Sequence, residues 1–164
     1  MIETARLYLR QFTSDDIDDL HVIYSDSEVM KYLSRGVRTR EETAADLFRI
    51  IADWEKHGFG LWAVVAKENH QLIGDGGLRF LGKTPEVEVG YLLAKAYWGK
   101  GLAAEVAEAS LKYGFDVLKL KQIVAVADTE NIASRRVMEK VGMKYQHNFE
   151  DRGIDRVYYS IAKL

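Results

Sequence analysis

Two glycines stand one residue apart in the stretch YWGKGLAAE at residues 97–105, just before a run of small residues that begins a helix. A helix N-terminus presents unpaired N–H groups and the positive end of the helix dipole. Glycines in front of it let a phosphate approach those groups closely. The stretch therefore predicts either an anion site or an ordinary strand-to-helix turn that needs glycine. The residues that would contact the anion are Gly99, Lys100, Gly101, Leu102, Ala103 and Ala104.

A dinucleotide site is the main rival, because GKGLAA at 99–104 also satisfies the fingerprint G-x-G-x-x-A. Three observations count against it. Residues 94–98 separate the fingerprint from its strand, Asp128 lies too far downstream to bind a ribose, and too little chain remains for a doubly wound sheet. A nucleoside-triphosphate loop is excluded because nothing matches G-x-x-x-x-G-K-[ST].

Side chains that could transfer protons lie on both sides of the glycines. Asn131 begins a late helix and Ser134 follows three residues on; this spacing indicates either a plain helix cap or a hydroxyl at a site. Glu86 and Glu88 share one face of a strand, since strand side chains alternate. A carboxylate there could accept a proton from a substrate, with a solvated strand end as the alternative. His147 is a second candidate base.

The elements that must position these residues follow from the hydrophobic pattern. The spacing predicts a strand at 6–11, helices at 13–24, 27–33 and 39–57, and a meander of strands at 59–67, 72–81 and 86–93. A helix then follows the glycines, before a buried strand at 121–128, a helix at 134–141 and a final hairpin. Strand, helix and strand over 86–128 form a right-handed β-α-β unit. The fold class is therefore α+β, with a mixed, mostly antiparallel sheet of about seven strands, one central parallel pair and flanking helices.

Composition limits the function further. A chain of 164 residues, 48% of them hydrophobic, is one ordinary domain. The net charge of −2 without a basic stripe argues against a broad nucleic-acid surface. The absence of cysteine excludes disulfides, thiolate metal sites and a cysteine nucleophile. The four histidines lack ligand spacing, so no metal is expected. Neither a signal peptide nor a membrane-spanning stretch is recognisable, so a cytoplasmic location is expected.

Two longer stretches, EVGYLLAKAYWGKGLAAE at 88–105 and IVAVADTENIASRRVMEKVGM at 123–143, resemble the GNAT superfamily of N-acetyltransferases. Together with ETARLYLRQFTSDDIDDL and SDSEVMKYL, they resemble its RimJ/RimL-type branch, whose members include ribosomal-protein N-terminal acetyltransferases. The resemblance covers nearly the whole chain. It implies a single N-acetyltransferase domain over residues 1–164, with acetyl-CoA as the donor and no metal.

The resemblance also implies how CoA is held. The family's pyrophosphate motif, Q/R-x-x-G-x-G/A, falls on residues 98–103, with Trp98 in place of the basic or amide residue. Lys100 and Arg136 are then the candidates for further phosphate contacts. The backbone of Tyr91, Leu92 and Leu93 would pair with the pantetheine arm and polarise the thioester carbonyl.

Asn131 would help to hold the same arm, and the Ser134 hydroxyl would face the leaving thiolate. Many relatives carry a tyrosine as the general acid seven residues after this asparagine. That position is Met138 here, which leaves Ser134 as the remaining proton donor.

The expected function is transfer of an acetyl group to a primary amine, either a protein N-terminus or a small molecule, with Glu88 as the candidate base. The absence of cysteine disfavours an acyl-enzyme, so direct attack in a ternary complex is expected. The acceptor would enter opposite CoA, near residues 32–40, 80–85 and 147–155. The alternative is a module that binds acetyl-CoA without turnover. The chain is expected to act away from membranes, as a monomer or homodimer.

Overall fold

The computed structural model describes residues 1–164 as one eight-stranded sheet packed between helices. In chain order the strands and helices are β1 (Ile2–Glu3), β2 (Leu7–Arg10), α1 (Ile17–Tyr24), α2 (Arg40–His57), β3 (Leu61–Ala66), β4 (Leu72–Phe80), β5 (Val87–Leu93), α3 (Leu102–Asp116), β6 (Gln122–Asp128), α4 (Ile132–Lys140), β7 (Lys144–Asp151) and β8 (Ile154–Ala162). Short 3₁₀ turns occupy Ser14–Asp16 and Lys95–Tyr97.

The strand order is β1-β2-β3-β4-β5-β6-β8-β7, and every neighbouring pair is antiparallel except β5 with β6. The predicted mixed sheet with one central parallel pair is therefore confirmed. The strand count is eight because the two-residue edge strand β1 was too short to be predicted from its pattern.

Local sequence signals explain where the first two helices begin. The side chain of Thr39 accepts a hydrogen bond from the Glu42 N–H, and the Glu42 carboxylate accepts one from the Thr39 N–H. Thr13 and Asp16 form the same reciprocal capping box before α1. Gly58 ends α2 in the left-handed region at φ 77°.

The predicted helix at 27–33 is wrong, because this stretch forms successive turns. Its backbone hydrogen bonds are isolated: the Met30 N–H donates to the Asp26 carbonyl, and the Leu33 N–H donates to the Met30 carbonyl. So short a helix is marginal without a continuous ladder of bonds. Burial of Val29 and Met30 against the core beside α1 and α2 holds the turns instead.

The two faces of the sheet carry different helices. Leu78, Val87 and Ile123 pack in one core with residues of α3 and α4. Leu61 and Ala63 pack in another core with residues of α1 and α2. The two faces can therefore serve two ligands, one on each side of β5. None of the helices is both long enough and apolar enough to cross a membrane.

Candidate active site

The parallel strands β5 and β6 separate almost as soon as they meet. Their register contains the single pair Glu88 and Val124. Along its other edge, β5 stays paired with β4 as far as Leu93 opposite Gly74. Residues 89–93 of β5 therefore present an edge without a strand partner. We call the gap between this edge and β6 the wedge; an extended ligand can add there as a further strand.

The glycine stretch lies at the outer end of the wedge. Gly99 and Gly101 both occupy the left-handed region, at φ 73° and 76°, which only glycine adopts at little cost. Gly101 caps α3 without a side chain, and the first helical bond runs from the Glu105 N–H to the Gly101 carbonyl. The N–H groups of residues 102–104 precede any helical acceptor, so they are free to bind an anion.

Trp98 closes the end of β5. Its indole Nε1–H donates to the carbonyl oxygen of Leu93 at 2.8 Å, which fixes the loop between the strand and α3. Nζ of Lys100 lies 5.4 Å from the centre of the Tyr97 ring, so this side chain rests against an aromatic face. Trp98, which replaces the basic or amide residue of the motif, thus holds the loop in place by this hydrogen bond.

Two cationic side chains that sequence reasoning missed lie beside the glycines. A Cβ built on Gly101 would be 3.6 Å from Nη2 of Arg6 and 3.7 Å from Nζ of Lys140. Arg6 also donates to the carbonyl of Lys100 at 2.7 Å, whereas Lys140 forms no ion pair. Arg136 is exposed one turn earlier on α4, so its spacing of four residues from Lys140 was the available signal. Arg6 precedes β2 and carries no such signal.

Asn131 and Ser134 lie where α4 begins. The Ser134 N–H donates to Oδ1 of Asn131 at 3.2 Å, so Asn131 is a helix cap. The Tyr91 hydroxyl donates to the Ser134 carbonyl at 2.8 Å and lies 3.1 Å from Ser134 Oγ. The two hydroxyls thus meet between β5 and α4. Burial raises the pKa of Tyr91 to about 12, which keeps its proton in place at neutral pH. Met138 is buried in the core formed with α3.

Glu88 in β5 and Glu86 just before it both accept a hydrogen bond from another side chain. Glu88 is 5% exposed, and Nε of Arg79 donates to its Oε1 at 2.7 Å. Glu86 accepts a hydrogen bond from the hydroxyl of Tyr158, whose pKa is raised to about 12 by burial and by this carboxylate. Neither is a freely solvated strand end. His147 stacks on the Tyr158 ring at 4.8 Å between centroids.

A second polar pair is buried where α1 meets β4. The Tyr24 hydroxyl donates to Oδ2 of Asp75 at 2.5 Å, and both residues are less than 8% exposed. Burial raises the pKa of Asp75, although the Tyr24 hydrogen bond and the Arg79 charge act in the opposite direction. Burial also raises the pKa of Tyr24 well above its usual value. The available sequence signal was a lone acid, Asp75, among apolar residues and glycines in the first seven positions of the strand LIGDGGLRF.

Asp46 on α2 is a further buried carboxylate, with an exposure of 5%. It accepts hydrogen bonds from Arg35, Arg38 and Arg49 at 2.8–3.2 Å. Arg38 also forms an ion pair with Glu42, so these charges belong to one network on α2 and the loop before it. No three histidine, aspartate or glutamate side chains of the chain cluster as metal ligands.

Comparison with known proteins points to one family. A model described as "Acetyltransferase (GNAT) domain" matches residues 6–144. The chain is 34% identical to the uncharacterized N-acetyltransferase YnaD of Bacillus subtilis, over 99% of this chain and 96% of that protein. A GNAT-family acetyltransferase from Bacillus anthracis superposes with a TM-score of 0.87 at 33% identity, covering 98% and 97% of the two chains. RimL, a ribosomal L7/L12 alpha-N-protein acetyltransferase solved with coenzyme A, shares the fold at 18% identity, with a TM-score of 0.82 and coverage of 97% and 95%.

Proposed function

We infer the acceptor and the route of transfer from one established premise: this chain belongs to the GNAT family of acetyltransferases and is an acyltransferase. The resemblance found in the sequence is thereby confirmed. The family transfers acetyl groups from acetyl-CoA. We propose that this chain acetylates a primary amine by direct attack on the thioester in a ternary complex.

The wedge is the observation that carries the proposal. Its β5 edge is free over residues 89–93, and it leads to the unpaired N–H groups of residues 102–104. A pantetheine arm and a pyrophosphate are joined in the same order in CoA, so the residues present fit this donor. The residues proposed to hold it are Tyr91, Leu92, Leu93, Trp98, Gly99, Lys100, Gly101, Leu102, Ala103, Ala104, Asn131, Ser134 and Arg136, with Arg6 and Lys140 added from the structure.

Different groups of the chain then have separate roles in the reaction. When bound, acetyl-CoA supplies an activated thioester. N–H groups on the free edge of β5 are fixed before reaction and polarise its carbonyl. Glu88 accepts the proton that the amine must lose, and Arg79 holds that carboxylate in one orientation. Ser134 returns a proton to the leaving thiolate, with Tyr91 fixing the position of the hydroxyl.

The absence of cysteine supports direct transfer, because no thiol can carry the acetyl group between two half-reactions. The amine approaches from the face of β5 that carries α1 and α2, opposite to α3 and α4. RimL, which shares the fold, is described as an alpha-N-protein acetyltransferase, so we include protein N-termini beside small amines in the panel of acceptors.

The test is release of free CoA thiol from acetyl-CoA in the presence of a panel of amines, with the acetylated product identified by mass spectrometry. Thiol release that depends on both the chain and the amine supports the proposal. A binding module would behave differently. At CoA concentrations about 100 times its dissociation constant it would still be stabilised by about 2.7 kcal/mol, but no amine would release thiol. That outcome would overturn the proposed turnover.

A further inference from the structure

A cavity of about 730 Å³ opens between the C-terminal half of α2 and the turn that joins β4 to β5. It lies on the face of the sheet that carries α1 and α2. Arg79 forms part of its wall and also donates to the candidate base Glu88. The cavity therefore opens beside the place where the amine must lose its proton. Its size is that of a small-molecule site.

The charged side chains of the cavity are mostly basic. Arg49, Lys56, Arg79 and Lys83 line it against one carboxylate, Asp53. Arg79 is paired with Glu88, and Arg49 shares Asp46 with two other arginines. Lys56 and Lys83 have no carboxylate partner within ion-pair distance. We call this cavity, with Lys56 and Lys83 at its rim, the basic pocket.

The turn between β4 and β5 adds backbone donors to the same wall. The amide N–H groups of Gly82 and Lys83 donate to no other group of the chain. Gly82 adopts a positive φ of 55°, and nothing occupies the space within 4 Å of where its Cβ would be. Successive free amides in such a turn form a concavity that binds anions. The rim thus carries both lysine side chains and backbone amides that have no acceptor within the chain.

The remaining wall is aromatic. The rings of His57 and Phe80 meet edge to face with centroids 4.9 Å apart, and the ring of Phe59 lies 5.4 Å from that of Phe80. Phe80 is 36% exposed, so part of its surface is available to a ligand. An apolar chain can cover these rings while a charged end reaches the lysines.

We propose that the basic pocket binds an anionic group, a carboxylate or a phosphate, that is carried by the amine acceptor itself. The acceptor is then an amine with an acidic end, bound with its amine towards Glu88 and its anion towards Lys56 and Lys83. This inference rests on the proposed function. A polycationic acceptor such as an aminoglycoside or a polyamine would meet like charges at the rim, which is unfavourable.

The test compares matched acceptors. The specificity constant kcat/KM is measured for ω-amino acids of increasing chain length against their carboxamides, and for aminoalkyl phosphates against the corresponding amino alcohols. One chain length should favour the anionic member by about tenfold, as expected for a charge-assisted contact. The two series distinguish a carboxylate from a phosphate ligand. Equal rates for anionic and neutral members, or a preference for polyamines, would overturn the inference.

Variants connect that preference to the pocket. The double variant Lys56→Gln/Lys83→Gln should reduce the preference to about twofold while the neutral acceptors react as before. Asp53→Asn should increase the preference, because it removes the one opposing charge. Lys144→Gln is the control, since Lys144 is also an exposed lysine without an ion pair but lies on β7. An unchanged preference in the double variant would place the anion elsewhere.

A binding measurement separates this inference from the proposed function. The chain without acetyl-CoA is titrated with glutarate and with inorganic phosphate, and the amide resonances of residues 82–84 are followed by NMR. Saturable chemical-shift changes at residues 82–84, without thiol release for any amine, would support anion binding in the basic pocket and refute the proposed acetyl transfer. Thiol release without shifts, and with equal rates for anionic and neutral acceptors, would sustain the transferase and refute the pocket.

Discussion

Replacing Tyr24 with phenylalanine tests the buried hydrogen bond between Tyr24 and Asp75, on the face of the sheet that carries α1 and α2. The change removes the hydroxyl that donates to Oδ2 of Asp75 at 2.5 Å and leaves the rest of the ring in the core. The Asp75 carboxylate is 6% exposed, so water cannot replace the lost donor. A buried hydrogen bond to a charged group is worth about 1.5–3 kcal/mol. We expect a loss of about 2 kcal/mol in the free energy of unfolding at pH 8.

The pH dependence of that loss is the sharper part of the prediction. Burial raises the pKa of Asp75 in the folded state, while the Tyr24 hydrogen bond lowers it. Stability from such a group is fully present below the pKa of an unfolded aspartate and is lost as the pH rises through the folded pKa. Removing the Tyr24 hydroxyl raises the pKa of Asp75 in the folded state further, so the pH range over which stability is lost extends to higher pH. The variant should therefore lose less stability at pH 4.5 than at pH 8.

Urea unfolding of both proteins between pH 4.5 and 8 measures this directly, provided that the denaturant slope is unchanged. For a chain of this size, a loss of 2 kcal/mol corresponds to a fall in Tm of about 4–8 °C. Tyr8→Phe is the matched control, since the Tyr8 hydroxyl has no hydrogen-bond partner and this change should cost less than about 0.5 kcal/mol. A Tyr24→Phe loss that is equally small, or one that does not grow with pH, would refute the reasoning.

Three further predictions concern the proposed chemistry and the CoA site. Ser134→Ala should slow single-turnover acetyl transfer by about 10- to 100-fold without weakening CoA binding; an unchanged rate would remove this hydroxyl from the mechanism. Glu88→Gln should lower kcat/KM by about 100-fold, because an amide cannot accept the proton of the amine; an unchanged kcat/KM would point to another base. Gly101→Ala and Gly36→Ala should each cost about 1 kcal/mol, because both glycines have positive φ and room for a Cβ. Only Gly101→Ala should also weaken CoA binding, by about tenfold in a calorimetric titration, because its methyl group would stand against the approaching phosphate; equal CoA affinities in the two variants would contradict the anion site.

Most of the fold, and the backbone conformation of the glycine stretch, could be predicted from local sequence signals. Both ends of α2 could be predicted, because helix caps act within one turn of the chain: Thr39 with Glu42 marks its start and Gly58 its end. The glycines before α3 were readable for the same reason, since a positive φ restricts the residue type at a single position. At 27–33 the local pattern failed, because tertiary burial of Val29 decided the backbone there.

Contacts between distant segments could not be predicted from one sequence. Tyr91 meets Ser134 across 43 positions, and Tyr24 meets Asp75 across 51. The sequence can mark single members of these pairs as unusual, as it does for Ser134 and Asp75, but it does not show which residue each one contacts. The same holds for Arg6, whose guanidinium reaches the glycine stretch from the start of β2. These pairs depend on how the sheet brings its strands together, so only the three-dimensional structure identifies them.

The central claim is that the wedge and the start of α3 form one acetyl-CoA site. An NMR titration of the ¹⁵N-labelled chain with acetyl-CoA tests it most directly. The amide resonances of residues 91–93 and 101–104 should shift together and saturate at one dissociation constant, while those of residues 82–84 stay in place. Saturation without shifts at 91–93 and 101–104, or with shifts confined to another region, would contradict the claim.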